Sequence, residues 1–161
     1  VTDFAMSWNL SRQRFLDEME GLNDAQLRWI PFAGALSIGQ MALHVAGVEV
    51  SFSSQLLGVT LAESELKLKS CATEGVVNDH PFPYQDSEIT ADSVRHALEV
   101  AKSMVEPLIE NQTAEILDKQ LKSALGPIIS GRDAFARFAF HPAYHHGQTY
   151  TFKTNPAFPT A

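Results

Sequence analysis

Three histidines carry the strongest chemical signal in this chain. Read as a helix, the segment His141-Pro142-Ala143-Tyr144-His145-His146-Gly147-Gln148 stacks His141 and His145 on one face, because residues one turn apart project in the same direction. Two imidazoles so placed can grip one metal ion. A third, His44, lies far earlier, in another strongly helical stretch. Three neutral imidazoles leave a divalent ion its full charge and an open coordination position. That is the layout of a catalytic centre, whereas structural zinc sites are closed by four protein ligands.

Positioning these side chains requires long helices, and the apolar pattern supplies four. The first runs from about Asp3 to Glu20, with Trp8, Phe15, Met19 and Leu22 on a stripe and Arg12 and Arg14 offset toward solvent. Asn23 caps a single short turn that stops before Pro31. The second long helix opens at the capping box Ser37-Ile38-Gly39-Gln40. It carries Ile38, Met41, Val45, Val48, Phe52 and Leu56 inward and stops at Gly58. Thr90 caps the third, whose buried face is Val94, Ala97, Leu98, Ala101, Val105 and Leu108, with a kink or end expected at Pro107. Ser130 and Asp133 cap the fourth, which places Phe135, Phe138, Ala139 and Tyr144 on the core side and fades by Asn155-Pro156. Pro142 removes a backbone donor inside this helix, so a kink or a restart is expected there.

The connections are less regular. Leu61 to Lys69 reads as a short helix, residues 72–89 as a turn-rich segment of the kind that forms lids, and residues 111–129 as a partly helical link broken at Gly126-Pro127. Almost no strand alternation appears, so the fold class expected is all-α, a four-helix bundle forming one domain over residues 1–161.

On a helical wheel, Arg137, His141, His145 and Gln148 share a stripe, and His44 shares one with Gln40, Met41, Val48 and Ser51. If the two stripes face each other, the three imidazoles converge, Arg137, Gln148 and Ser51 sit on the rim as substrate contacts, and Met41 and Val48 keep part of the pocket dry. The other candidates read as ordinary surface or structural groups. His146 is offset by one residue, His96 lies on a polar face with Arg95, Glu99 and Lys102, and His80 lies in a loop. Glu49 turns away from the pocket and suits a salt bridge better than proton transfer.

Composition excludes several classes. A net charge of −7 with no basic stripe argues against nucleic-acid or anionic-membrane binding. No apolar run approaches the ~18–20 residues of a membrane span. The opening Val1-Thr2-Asp3-Phe4-Ala5 shows no leader pattern, and a lone Cys71 fits a reducing compartment, so a cytoplasmic location is expected.

The residues together resemble the DinB-like family of metal-dependent proteins, with its YfiT-type members. The resemblance rests on Gly21-Leu22-Asn23-Asp24-Ala25-Gln26-Leu27, on Ser37-Ile38-Gly39-Gln40 followed by Leu43-His44 and Glu49, on Pro81, Pro83 and Ile89-Thr90, and on His141 through Gln148. It implies an up-down-down-up four-helix bundle, with His44, His141 and His145 as ligands of one divalent ion, zinc or nickel foremost, and a homodimer. Tyr144, His146 and the tail Thr151-Phe152-Lys153 depart from the pattern in many relatives, at the pocket rim. Through some relatives, the resemblance also implies transfer of a low-molecular-weight thiol to an electrophilic small molecule. On that reading Arg137 steadies an acidic cosubstrate and Gln148 orients it. The same open site suits hydrolysis by an activated water, although no carboxylate shares the histidine stripes. A metal-binding, stress-associated dimer without catalysis is the third reading.

Overall fold

The computed structural model describes residues 2–160; positions 1 and 161, the two ends of the expected domain, lie outside the described residues. The four long helices are α1 (Asp3–Met19), α3 (Ile38–Leu57), α5 (Ala91–Glu110) and α7 (Gly131–Lys153). Three short ones, α2 (Asp24–Arg28), α4 (Glu63–Ser70) and α6 (Ala114–Asp118), lie in the connections. The starts of the four long helices follow from their caps. The Ser37 hydroxyl accepts from the Gln40 amide while the Gln40 side chain accepts from the Ser37 amide, and Asn23 with Gln26, Thr90 with Ser93, and Ser130 with Asp133 repeat the arrangement. Gly58 ends α3 in the left-handed conformation, φ 66°.

Helix α3 is buried on nearly every side, as expected of a helix that is apolar all round. It packs against α5, α7, α4 and α2. Cross-helix contacts fix the directions. Phe4 meets Phe135 at one end of α1 and α7, and Lys153 meets Glu18 at the other, so these two run together. The Thr2 hydroxyl donates to the Ile109 carbonyl and Arg12 to that of Leu98, so α5 runs against α1. Phe52 packs on Phe138 and His44 faces His145, so α3 runs against α7. The apolar interior falls into two clusters. One is built around Phe15, Leu43, Ile89 and Leu98, the other around Trp8, Phe52, Val105 and Phe135.

Two expectations change and two are refined. Arg12 is buried, not solvent-facing, while Arg14 is exposed. Tyr144 points outward at 52% exposure and leaves the core to Phe135 and Phe138. Helix α7 continues through Pro142 without a restart; the ring costs it one hydrogen bond, and the buried pyrrolidine is held by packing. The link before α7 contains a hairpin, β1 (Gln120–Lys122) with β2 (Ile128–Ser130), Leu121 pairing with Ile129. Strands of three residues are too short to show alternation in sequence. Elsewhere residues 72–89 form turns with one 3-10 turn at Asp86–Glu88, and α5 extends past Pro107 to Glu110. No helix among the described residues is long and apolar enough to cross a membrane.

Candidate metal centre

Helix α3 contributes His44, and α7 contributes His141 and His145 one turn apart. The Nε2 atom of His141 lies 3.1 Å from that of His44 and 3.1 Å from that of His145. One ligand atom from each of the three residues falls within 4.8 Å of the other two. His44 and His145 are 6% and 4% exposed, so water does little to solvate them.

The outer nitrogens decide the protonation of the inner ones. Nδ1 of His44 is 2.8 Å from the Cys71 carbonyl oxygen, which can only accept, so that nitrogen holds the ring proton. Nδ1 of His145 donates likewise to Gln148 Oε1 at 2.7 Å. Both Nε2 atoms therefore present lone pairs to the centre. His141 has one proton for two places. On Nε2 it serves only one of two facing acceptors well; on Nδ1, which is buried without a partner, it leaves three lone pairs facing one another. A cation among the three nitrogens removes that conflict. Two nitrogens at ~2.1 Å from one ion stand roughly 3 Å apart when they subtend about a right angle, so the residues present fit a divalent metal.

Electrostatics keep the rings neutral. Burial, then the neighbouring His145, His44 and Arg137, push His141 down to about 2. Burial and His44 push His145 down to about 4, against the Gln148 bond. Burial also lowers His44, against the Cys71 carbonyl. In the metal-free protein the unfolded chain binds these protons first, so ionisation favours unfolding below the ordinary value of 6.5. Stability present above pH 6.5 should be lost as pH falls toward about 4, where His145 begins to protonate in the folded state. Urea midpoints of metal-free protein measured across that window should fall more steeply than those of His141→Ala, which lacks one of the titrating groups.

The cavity over the histidines has a volume of about 500 Å³ and is lined by Phe32, Gly34, Ala35, Leu36, Met41, Gly75, Val76, Phe140, Tyr144, Gln148 and Phe152 as well. Gln148 thus lines the cavity, with its amide oxygen committed to His145. Arg137 opens instead into a shallow groove with Ile129, Asp133, Ala136 and Phe140. Ser51 lines a different depression beside Lys69 and Lys122. Met41 reaches the cavity, while Val48 packs against the second apolar cluster. Of the turn-rich segment, Gly75 and Val76 form part of the wall. Glu49 lies away from the cavity and accepts from the Trp8 indole N–H at 2.8 Å, with Arg12 Nε at 3.4 Å. His146 stands near Glu18, and His80 and His96 are exposed.

Two contributors have no side-chain signature. The Cys71 carbonyl is backbone. Gly47 permits its approach: a Cβ there would lie 2.5 Å from the Leu68 carbonyl oxygen and 2.9 Å from the Ala72 amide. A glycine in mid-helix costs about 1 kcal/mol against alanine and so points to a packing reason. Gly47→Ala should push the end of α4 off α3, lengthen the Cys71–His44 bond, and destabilise by about 1–3 kcal/mol. Metal affinity should fall about 10–100-fold with it, as read by denaturant unfolding and competitive chelator titration.

A family model of the DinB superfamily matches residues 7–149. No curated protein matches the chain. Among solved structures, the chain is similar to one titled as the crystal structure of the conserved protein of locus from Enterococcus faecalis. The TM-score is 0.66 at 12% identity, covering 92% of this chain and 91% of that one. At that identity the likeness concerns the fold.

Proposed function

This chain belongs to the DinB superfamily, and we propose that it is a metal-dependent enzyme that joins a low-molecular-weight thiol to an electrophilic small molecule. The observation that carries the metal part is the convergence of three Nε2 atoms whose outer nitrogens are tied back to Cys71 and Gln148. His44, His141 and His145 would hold the ion, zinc or nickel. A divalent cation there supplies Lewis acidity, which lowers the pKa of a thiol that reaches it and makes the thiolate available at neutral pH.

The protein's own part is to bind and orient. Cys71 and Gln148 fix the imidazoles, and Met41 and the aromatic side chains line the cavity above them. In the transfer, the sulfur forms a bond to the electrophilic atom, the leaving group departs with its electron pair, and the S–H proton goes to water. Among the described residues, no carboxylate side chain lines the cavity to take it. That same lack weighs against hydrolysis, which benefits from a base beside the attacking water. The active form we expect is a cytoplasmic homodimer.

Metal-loaded protein should consume an electrophile such as monochlorobimane only when a thiol is added, and the His44→Ala variant should not. Thiol-independent turnover of activated esters would favour hydrolysis. Neither activity, with metal still bound, would leave the non-catalytic dimer.

A further inference from the structure

The histidine cavity differs in charge from the other depressions on this surface. The groove between α1 and α5 presents Asp17, Glu20, Arg95 and Glu99, and the depression beside Ser51 presents two lysines. Among the described residues, the lining over the metal centre contains no Asp, Glu, Lys or Arg, in a chain whose residues are 19% charged. Its polar side chains are the three histidines, whose Nε2 atoms face one another, Gln148, whose amide oxygen is held by His145, and Tyr144. The walls are aromatic. Phe140 and Tyr144 stand with ring centroids 6.0 Å apart on α7, and Phe32 meets Phe152 edge to face at 6.5 Å. Phe32, Phe140 and Tyr144 are 64%, 64% and 52% exposed. Rings left that open beside a cavity of this size have area to offer an incoming molecule.

Resting on the metal-dependent reading above, we propose that the molecule seated in this cavity is uncharged and aromatic. Its reactive atom lies at the three-histidine floor and its ring lies between the Phe140–Tyr144 and Phe32–Phe152 pairs. The ion's charge is met by the atom bound to it. A second charge held among the rings would lose part of its water and find no charged side chain among the described lining residues, which weakens binding. Arg137, considered as an anchor for an acidic group, borders a groove on which Phe140 also opens, but does not line the cavity.

The test uses two rigid thiols that differ only at the far end of the ring, 4-methylbenzenethiol and 4-mercaptobenzoate. The para carboxylate cannot reach back to the metal. Cobalt(II)-loaded protein reports binding through its visible spectrum. The methyl compound should bind about tenfold more tightly. The double variant Phe140→Ala, Tyr144→Ala removes two exposed rings and should keep its cobalt and its fold, yet weaken the methyl compound about tenfold. Equal or tighter binding of the carboxylate overturns the proposal, as does loss of affinity on Arg137→Ala comparable to that of the double variant. If the double variant instead dissociates a dimer and binds both thiols as before, the rings are a self-association face and the proposal fails. A protein that takes up no cobalt overturns the metal reading alone. Calorimetry of the metal-free protein with 2-naphthol and 2-naphthoate then decides the cavity, with preference for the neutral compound expected and its absence overturning the proposal.

Discussion

His145→Ala should leave the purified protein without stoichiometric metal while the helices remain folded. Loss of a ligand's hydrogen-bonded outer partner already costs about 10–100-fold in affinity; loss of the ligand itself should cost more. Gln148→Ala, which removes only the acceptor that orients His145, should fall between the wild type and His145→Ala. The fold should persist because none of the three histidines belongs to either apolar cluster. In the metal-free state, removing one imidazole also relieves the crowding of nitrogens at 3.1 Å. Elemental analysis gives the metal content and far-ultraviolet circular dichroism the helix content. Full metal content in His145→Ala would remove this residue from the site.

The largest loss of stability should come from Arg12→Ala, at about 3–5 kcal/mol. Arg12 and Glu49 are buried together, with side chains 4% and 2% exposed. They lie where the second apolar cluster, at Trp8, gives way to the first, at Phe15. Arg12 ties α1 to α3 through Glu49 and to α5 through the Leu98 carbonyl. Truncating it leaves a carboxylate in an apolar interior with only the Trp8 indole N–H, and its Oε2 has no partner even now. Burial already raises Glu49 above the ordinary carboxylate value, against Arg12 and Trp8. Without Arg12 it should rise further. A raised carboxylate favours the folded state less as pH climbs, because the unfolded chain ionises first. The deficit of Arg12→Ala relative to wild type should therefore be larger at pH 8 than at pH 5. Urea unfolding at both values checks the size and the sign, and a pH-independent deficit would mean that lost packing, not the stranded charge, dominates.

Neighbouring residues alone were enough to place the helix starts and to single out the three histidines that converge. Capping boxes at Ser37, Thr90 and Ser130, with the left-handed stop at Gly58, are short-range hydrogen-bond patterns written in adjacent residues, and they appear where the spacing puts them. The stacking of His141 on His145 follows from helical periodicity alone, and α7 keeps it across Pro142. Tertiary packing decided the rest. A wheel gives the direction of a side chain but not its neighbour, so it could not tell that Arg12 points at Glu49 or that Tyr144 points out. It could not tell that Ser51 and Arg137 open onto other depressions than Gln148 does. The meeting of His44 with His141, and the backbone carbonyl of Cys71 that orients it, depend on how three helices approach one another. That approach is set by long-range burial and by the missing side chain of Gly47. No local pattern encodes it, because a backbone acceptor has the same chemistry in every residue and only its position makes it part of a site.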